Sequence, residues 1–289
     1  MKIINIKGAA KGEVDIDEEL EDLPFSKANF GHEYVDRDPH KVTEIKPSLH
    51  DENRVNIFMG GEFAFSLDIS QVVDLGVKVG KSFTDAEKKE LEHASEFGKL
   101  YTNTLEWVVT RPHSVKETRD HLKRKLLKRM ADNARRRANA ERMKTDPDFA
   151  RLREEYKIQT KERKLFNEED IEKVISRLLE KKYLDDYNFA RWFIENRNLK
   201  KGVSKMRLRQ ELAKKGVNSG IVAELMESSD RDEETEIKKV IKKKGKRMEP
   251  SKLLRNLVAH GFPFDLSKKL VDAYFADPEN FFGEDEFLF

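Results

Sequence analysis

The chain has 289 residues, of which 39% are charged and 37% hydrophobic, yet its formal net charge is only +2. So many charges, against ~25% in an average globular chain, suit thin helical layers with wide solvated faces better than one deep core. Cysteine is absent, which excludes disulfides, thiolate zinc sites and a cysteine nucleophile. No signal peptide is visible and no apolar run approaches the ~18 residues of a membrane span. The expectation is a cytoplasmic protein without a membrane partner.

In chain order, residues 1–53 are acidic (Asp15, Asp17, Glu18, Glu19, Glu21, Asp22) and lack sustained periodicity. They are expected to be disordered, apart from a short strand at 3–6. A small β-containing module is predicted over 54–82. Val55, Ile57 and Met59 alternate, Gly60-Gly61 supplies a positive-φ turn, and Phe63, Phe65 and Leu67 alternate back. A short helix at 69–75 and a third strand at 77–79 complete it.

From Thr84 the pattern is helical. Thr84 and Glu87 form a capping box, and the helix is expected to break near Gly98. A strongly basic stretch follows Ser114, with Leu122, Leu126 and Met130 on one stripe. That stripe thins beyond Arg135, giving an extended basic arm at about 128–164 with a break near Pro147. Further helices are predicted at 167–182, 186–196, 204–215, 219–227, 233–244, 249–260 and 264–275. The tail over 277–289 is acidic.

These helices repeat. Aligning Gly216-Val217 with Gly261-Phe262 places Leu208 on Leu253, Leu212 on Leu257, Ile221 on Leu266 and Leu225 on Leu270. A weaker copy upstream matches Ser114 and Leu122 to Ser204 and Leu212. Units of about 45–50 residues cannot bury their apolar faces alone, so neighbours must stack. The predicted fold is mainly α: tandem three-helix repeats in an elongated curved array behind the β-containing N-terminal module. The repeats are placed at 83–182 (including the basic insertion), 183–229 and 230–276.

The run Tyr183-Leu184-Asp185-Asp186-Tyr187-Asn188-Phe189-Ala190-Arg191 resembles the motif opening the second repeat of RecX proteins. Lys200-Lys201-Gly202-Val203-Ser204, the run from Arg207 to Leu212 and Lys214-Lys215-Gly216-Val217 continue the likeness. Arg111, Ser114 and Glu117 resemble the first repeat, and Arg255, Leu257, His260, Gly261 and Phe262 the third. Thr118, where the pattern expects leucine, and the basic insertion are departures. The resemblance implies a monomeric, non-enzymatic regulatory protein, without cofactor. It would bind the RecA recombinase filament on DNA and inhibit it in homologous recombination, DNA repair and the SOS response.

Candidate partner-binding or nucleic-acid-binding residues are Arg191, Trp192, Lys200, Lys201, Arg207, Arg209 and Lys214 of the second repeat, with Arg135, Arg136 and Arg137 of the arm. With Leu208 and Leu212 buried, ~100° per residue turns Arg207, Gln210 and Lys214 away from the core. Such faces suit an acidic partner or single- or double-stranded DNA, or are simply solvated. Trp192 is either an exposed anchor or packed on the adjoining repeat, the second being favoured. Asp185-Asp186 fits helix capping rather than paired catalytic carboxylates. Two other readings stay open: a helix-turn-helix-like DNA-binding transcription regulator, and a helical adaptor organised by the arm.

Overall fold

The computed structural model describes residues 37–49, 51–156, 158 and 160–282. The strand expected at 3–6 and most of the acidic tail lie outside the described residues. Two compact units divide the chain between Lys99 and Leu100.

In the first unit β1 (Val42–Pro47), β2 (Arg54–Met59) and β3 (Glu62–Asp68) form an antiparallel sheet in that order. The turn between β2 and β3 is Gly60-Gly61, both at positive φ (+59° and +81°), a conformation glycine adopts without a Cβ clash. Val55, Ile57, Met59, Phe65 and Leu67 enter the core with Val42, Val77, Phe83 and Leu91.

Strand β1 falls within the stretch expected to lack structure. Its sequence, Val-Thr-Glu-Ile-Lys-Pro, carries a single fully buried side chain, Val42, so composition could not reveal it; pairing with β2 decides its conformation. The strand expected at 77–79 is instead a loop. Val77 N–H bonds back to Val72 and Gly80 N–H to Val42, which fixes the loop by local turns and leaves Val77 as a core plug.

Helix α1 (Ile69–Asp74) follows β3, and α2 (Asp85–Val108) starts with the expected box. Thr84 N–H donates to Glu87 Oε2 at 2.8 Å, and Glu87 N–H returns a bond to Thr84 Oγ1 at 3.3 Å. Contrary to expectation, α2 runs through Gly98 without a break. That glycine is a contact site: an added Cβ would lie 2.8 Å from the Gln71 carboxamide and 2.9 Å from the Asp68 carboxylate.

In the second unit Ser114 caps α3 (Val115–Thr145), and α4 (Pro147–Tyr156) begins on the proline that α3 could not have accommodated in its interior. Asn167 caps α5 (Glu168–Glu180), whose Ile171, Val174, Ile175 and Leu178 are buried. The stripe on α3 fades as the sequence suggests: Leu122 is fully buried, Leu126 half-buried and Met130 exposed.

Helices α6 (Asp186–Asn196), α7 (Lys205–Lys214) and α8 (Ser219–Glu227) share one core of Phe189, Ala190, Ile194, Leu208, Leu212, Val222, Leu225 and Met226. Helix α9 (Glu233–Lys244), a 3-10 turn, α10 (Pro250–Ala259) and α11 (Phe264–Ala276) share the next, built on Ile237, Ile241, Leu253, Leu257, Leu270 and Tyr274. The mainly helical class, with tandem three-helix repeats after a β-containing module, is the one expected.

Candidate polyanion-binding faces of the repeats

Two junctions between successive helix triplets use the same parts. Ser114 Oγ accepts from Glu117 N–H (3.0 Å), capping α3, and donates to the carbonyl of Lys215 (2.8 Å) at the end of α7. Ser204 Oγ accepts from Arg207 N–H (3.1 Å), capping α7, and donates to the carbonyl of His260 (2.7 Å) at the end of α10. Both serines are fully buried. The next N–H also crosses the junction: Val115 donates to Asp186 Oδ1 (2.9 Å) and Lys205 to Glu233 Oε1 (3.0 Å). Burial raises the pKa of both carboxyls.

The glycine after each helix completes the match. Gly216 and Gly261 sit at φ +80° and +85°. An added Cβ would come within 2.8 Å of Lys116 and 2.6 Å of Met206, the residues two beyond each serine. The left-handed C′ position thus both ends the helix and admits the neighbouring repeat.

The second junction has a further tie. Glu236, buried, accepts from Val203 N–H (2.7 Å) and pairs with Lys239 (2.8 Å) and Arg231 (3.6 Å). Arg231 also donates to the carbonyls of Arg197 and Glu195, at the C-terminal end of α6.

These contacts distribute the predicted residues over several places. Lys201 and Arg207 line one cavity of about 240 Å³ with Lys243, Lys244, Asn256 and His260. Lys214 lines another, of about 650 Å³, with Lys116, Lys123, Arg124 and Lys215, but Glu117 and Asp120 share it. Arg191 borders a third with Glu195, Asp230, Asp232 and Glu236, an acidic setting unsuited to a polyanion. Arg209 and Lys200 are exposed; Arg209 lies on the opposite flank of α7 from Arg207 by helical geometry. Trp192 is half-buried against the core of its own triplet, with the Arg111 guanidinium 5.5 Å from its ring centroid.

The arginines of the arm have internal work. Arg136 donates to the carbonyl of Lys161 (2.7 Å), Arg137 pairs with Glu162 (3.3 Å) and Arg135 with Asp132 (3.1 Å). Asn133 exchanges two hydrogen bonds with the backbone of Arg163. The returning segment is therefore laced to α3, and the charge run serves chain closure as well as solvent. Sequence reasoning missed Lys243, Lys244, Asn256 and His260. The run Lys242-Lys243-Lys244 was visible, but its convergence with Lys201 and Arg207 was not.

Near the first junction Trp107 packs at a tilt against His113 (centroids 3.6 Å apart) and stacks on His121 (4.2 Å). Burial, with the Arg111 charge adding to it, pushes His113 down to about 4. Glu117 is opposed by burial but held low by Lys215 and Arg111. Among the described residues no cluster of His, Asp and Glu could hold a metal, and no helix is long and apolar enough to cross a membrane.

Two family profiles match the chain: the regulatory protein RecX N-terminal domain over residues 40–84, and the RecX second three-helix domain over residues 185–226. Both matched segments are of RecX type. The second match spans α6 through α8. The regulatory protein RecX of Bacillus subtilis is 26% identical over 239 residues, covering 80% of this chain and 76% of that protein. Its counterpart from Caldanaerobacter subterraneus is 27% identical over 223 residues, covering 76% and 93%. A crystal structure of regulatory protein RecX superposes with a TM-score of 0.54 at 16% identity, covering 81% of this chain and 99% of that one. At that identity the likeness speaks for the fold.

Proposed function

We propose that this RecX-family regulatory protein binds a RecA-type recombinase filament on DNA and restrains it, acting in the cytoplasm as a non-enzymatic factor of DNA repair. The observation supporting this reading is the repeated serine-to-carbonyl latch. It holds consecutive triplets in register, so the outward side chains of α7 and α9 form one preset surface rather than independent faces. Preset cations suit a long, regular, acidic partner, because little conformational entropy is lost on docking.

The transcription-regulator reading is disfavoured by α8. In a helix-turn-helix the second helix meets the bases, yet α8 (Ser219–Glu227) has no lysine or arginine and carries Glu224 and Glu227. The test is ATP hydrolysis by the host recombinase on single-stranded DNA. Substoichiometric amounts of the protein should slow it; full activity in the presence of excess protein would refute the proposal.

A further inference from the structure

The two junctions differ at one chemically decisive place. Three residues beyond the capping serine stands Glu117 in the first and Arg207 in the second. Glu117 pairs with Arg111 (3.2 Å) and Lys215. A smaller cavity at the first junction, of about 320 Å³, is lined by Arg111, Arg197 and Lys215, and each of these cations has a carboxylate, Arg197 being held by Glu211 (2.6 Å). The cavity at the second junction, between α7, α9 and α10, has no carboxylate among its lining residues. Lys201 and Lys243 have no ion pair among the described residues, and Lys244 donates to the neutral Asn256 (2.8 Å). Arg207 alone reaches an acid, Glu211 (3.2 Å), whose two oxygens already serve Arg197.

Arg207 also violates a local rule. The third position of a helix capped by serine favours Glu or Gln, and positive charge there opposes the helix dipole. Four converging cations repel one another as well. An arrangement unfavourable by itself, on an otherwise consistent scaffold, points to recognition of an anion.

We propose that this cavity receives a phosphate of a nucleic-acid backbone. A guanidinium and three ammonium groups around one opening match closely spaced diester charges, whereas a single carboxylate would leave most of them uncompensated. The apolar floor of Val203, Val240, Leu257 and Phe262 lowers the local polarizability, which strengthens the attraction. The inference rests on the filament reading above, and places the cavity against the filament's DNA.

The test uses the full chain without recombinase, titrated into a labelled thymidine oligonucleotide. Arg207→Gln and Lys243→Gln should each weaken binding about 3- to 10-fold at low salt. Each should also reduce the slope of log affinity against log salt by about 0.7. Lys268→Gln, on the exposed face of α11, should change neither. Arg207→Gln completes a Ser-x-x-Gln capping box, so its melting temperature should not fall.

Competition separates the sources of charge. Excess inorganic phosphate should compete weakly and poly-glutamate poorly; equal competition by poly-glutamate would transfer the cavity to an acidic protein and overturn the proposal. No oligonucleotide binding, or equal losses for Arg207→Gln and Lys268→Gln, would also overturn it. The ATPase assay distinguishes the two failures. Inhibition with no role for Arg207 in DNA binding removes only the cavity's role; Arg207-dependent DNA binding without inhibition removes the regulator reading and leaves the cavity standing.

Discussion

Replacing Ser204 with alanine tests whether the repeats are coupled through the latch. The hydroxyl makes two bonds, one capping its own helix and one reaching the carbonyl of His260 in the next triplet. Loss of a serine cap costs about 1 kcal/mol. Loss of the buried hydroxyl-to-carbonyl bond adds about 1 kcal/mol. Ser204→Ala should therefore destabilise by about 2 kcal/mol, which for a unit of this size lowers the melting temperature by roughly 4–8 °C. Asp232→Ala supplies the comparison, because Asp232 caps α9 through Thr235 N–H (2.9 Å) and stays within its own triplet; it should cost only about 1 kcal/mol. Urea unfolding followed by circular dichroism measures both. Equal losses in the two variants would show that the inter-repeat bond carries no energy, and the account of a preset surface would fall with it.

Stability should also depend on pH through His113. Its folded pKa of about 4 lies below the ordinary histidine value of 6.5, so the unfolded chain binds the proton more readily. That contribution is complete above pH ~6.5 and is lost on descending towards pH 4, by up to about 3 kcal/mol. Urea midpoints of wild type and His113→Leu should converge over that window, and a constant gap would contradict the assignment. Gly202→Ala should destabilise by more than about 2 kcal/mol, since φ is +70° and the new Cβ would meet the backbone carbonyl of Glu236; a near-neutral melt would refute this packing. Glu236→Ala leaves the buried Arg231 charge without its carboxylate, beside an unpaired Val203 N–H, and should cost about 3–5 kcal/mol. A loss below 1 kcal/mol in urea unfolding would show that the cluster is solvated.

Much of the helical unit was legible from local signals. The expected bounds 186–196, 219–227 and 233–244 coincide with α6, α8 and α9. Caps, glycine stops and leucine stripes act within a few residues and can be read from a window that short. The errors fell where distant groups decide. Gly98 reads locally as a helix break, although the side chains of Asp68 and Gln71, remote in sequence, explain the small residue. Strand β1 depends on pairing with β2, and the segment around Val77 closes by turns instead of joining the sheet.

For the site, the residue types were visible and their company was not. Lys201 and Arg207 stand out in the sequence as candidate binding residues, but Lys243 and Lys244 join them only because α9 packs beside α7 and α10. Arg135, Arg136 and Arg137 formed the most conspicuous charge run, yet their nearest partners are Asp132, the Lys161 carbonyl and Glu162.

By itself the amino-acid order determined the helices, their apolar faces, the repeat and the family likeness, because hydrophobic periodicity and capping are local properties of the chain. Which charges are neutralised and which remain open was decided by tertiary contact. Coulomb attraction depends on distance in space, and Glu117 and Arg207 acquire opposite consequences only when the triplets close against each other.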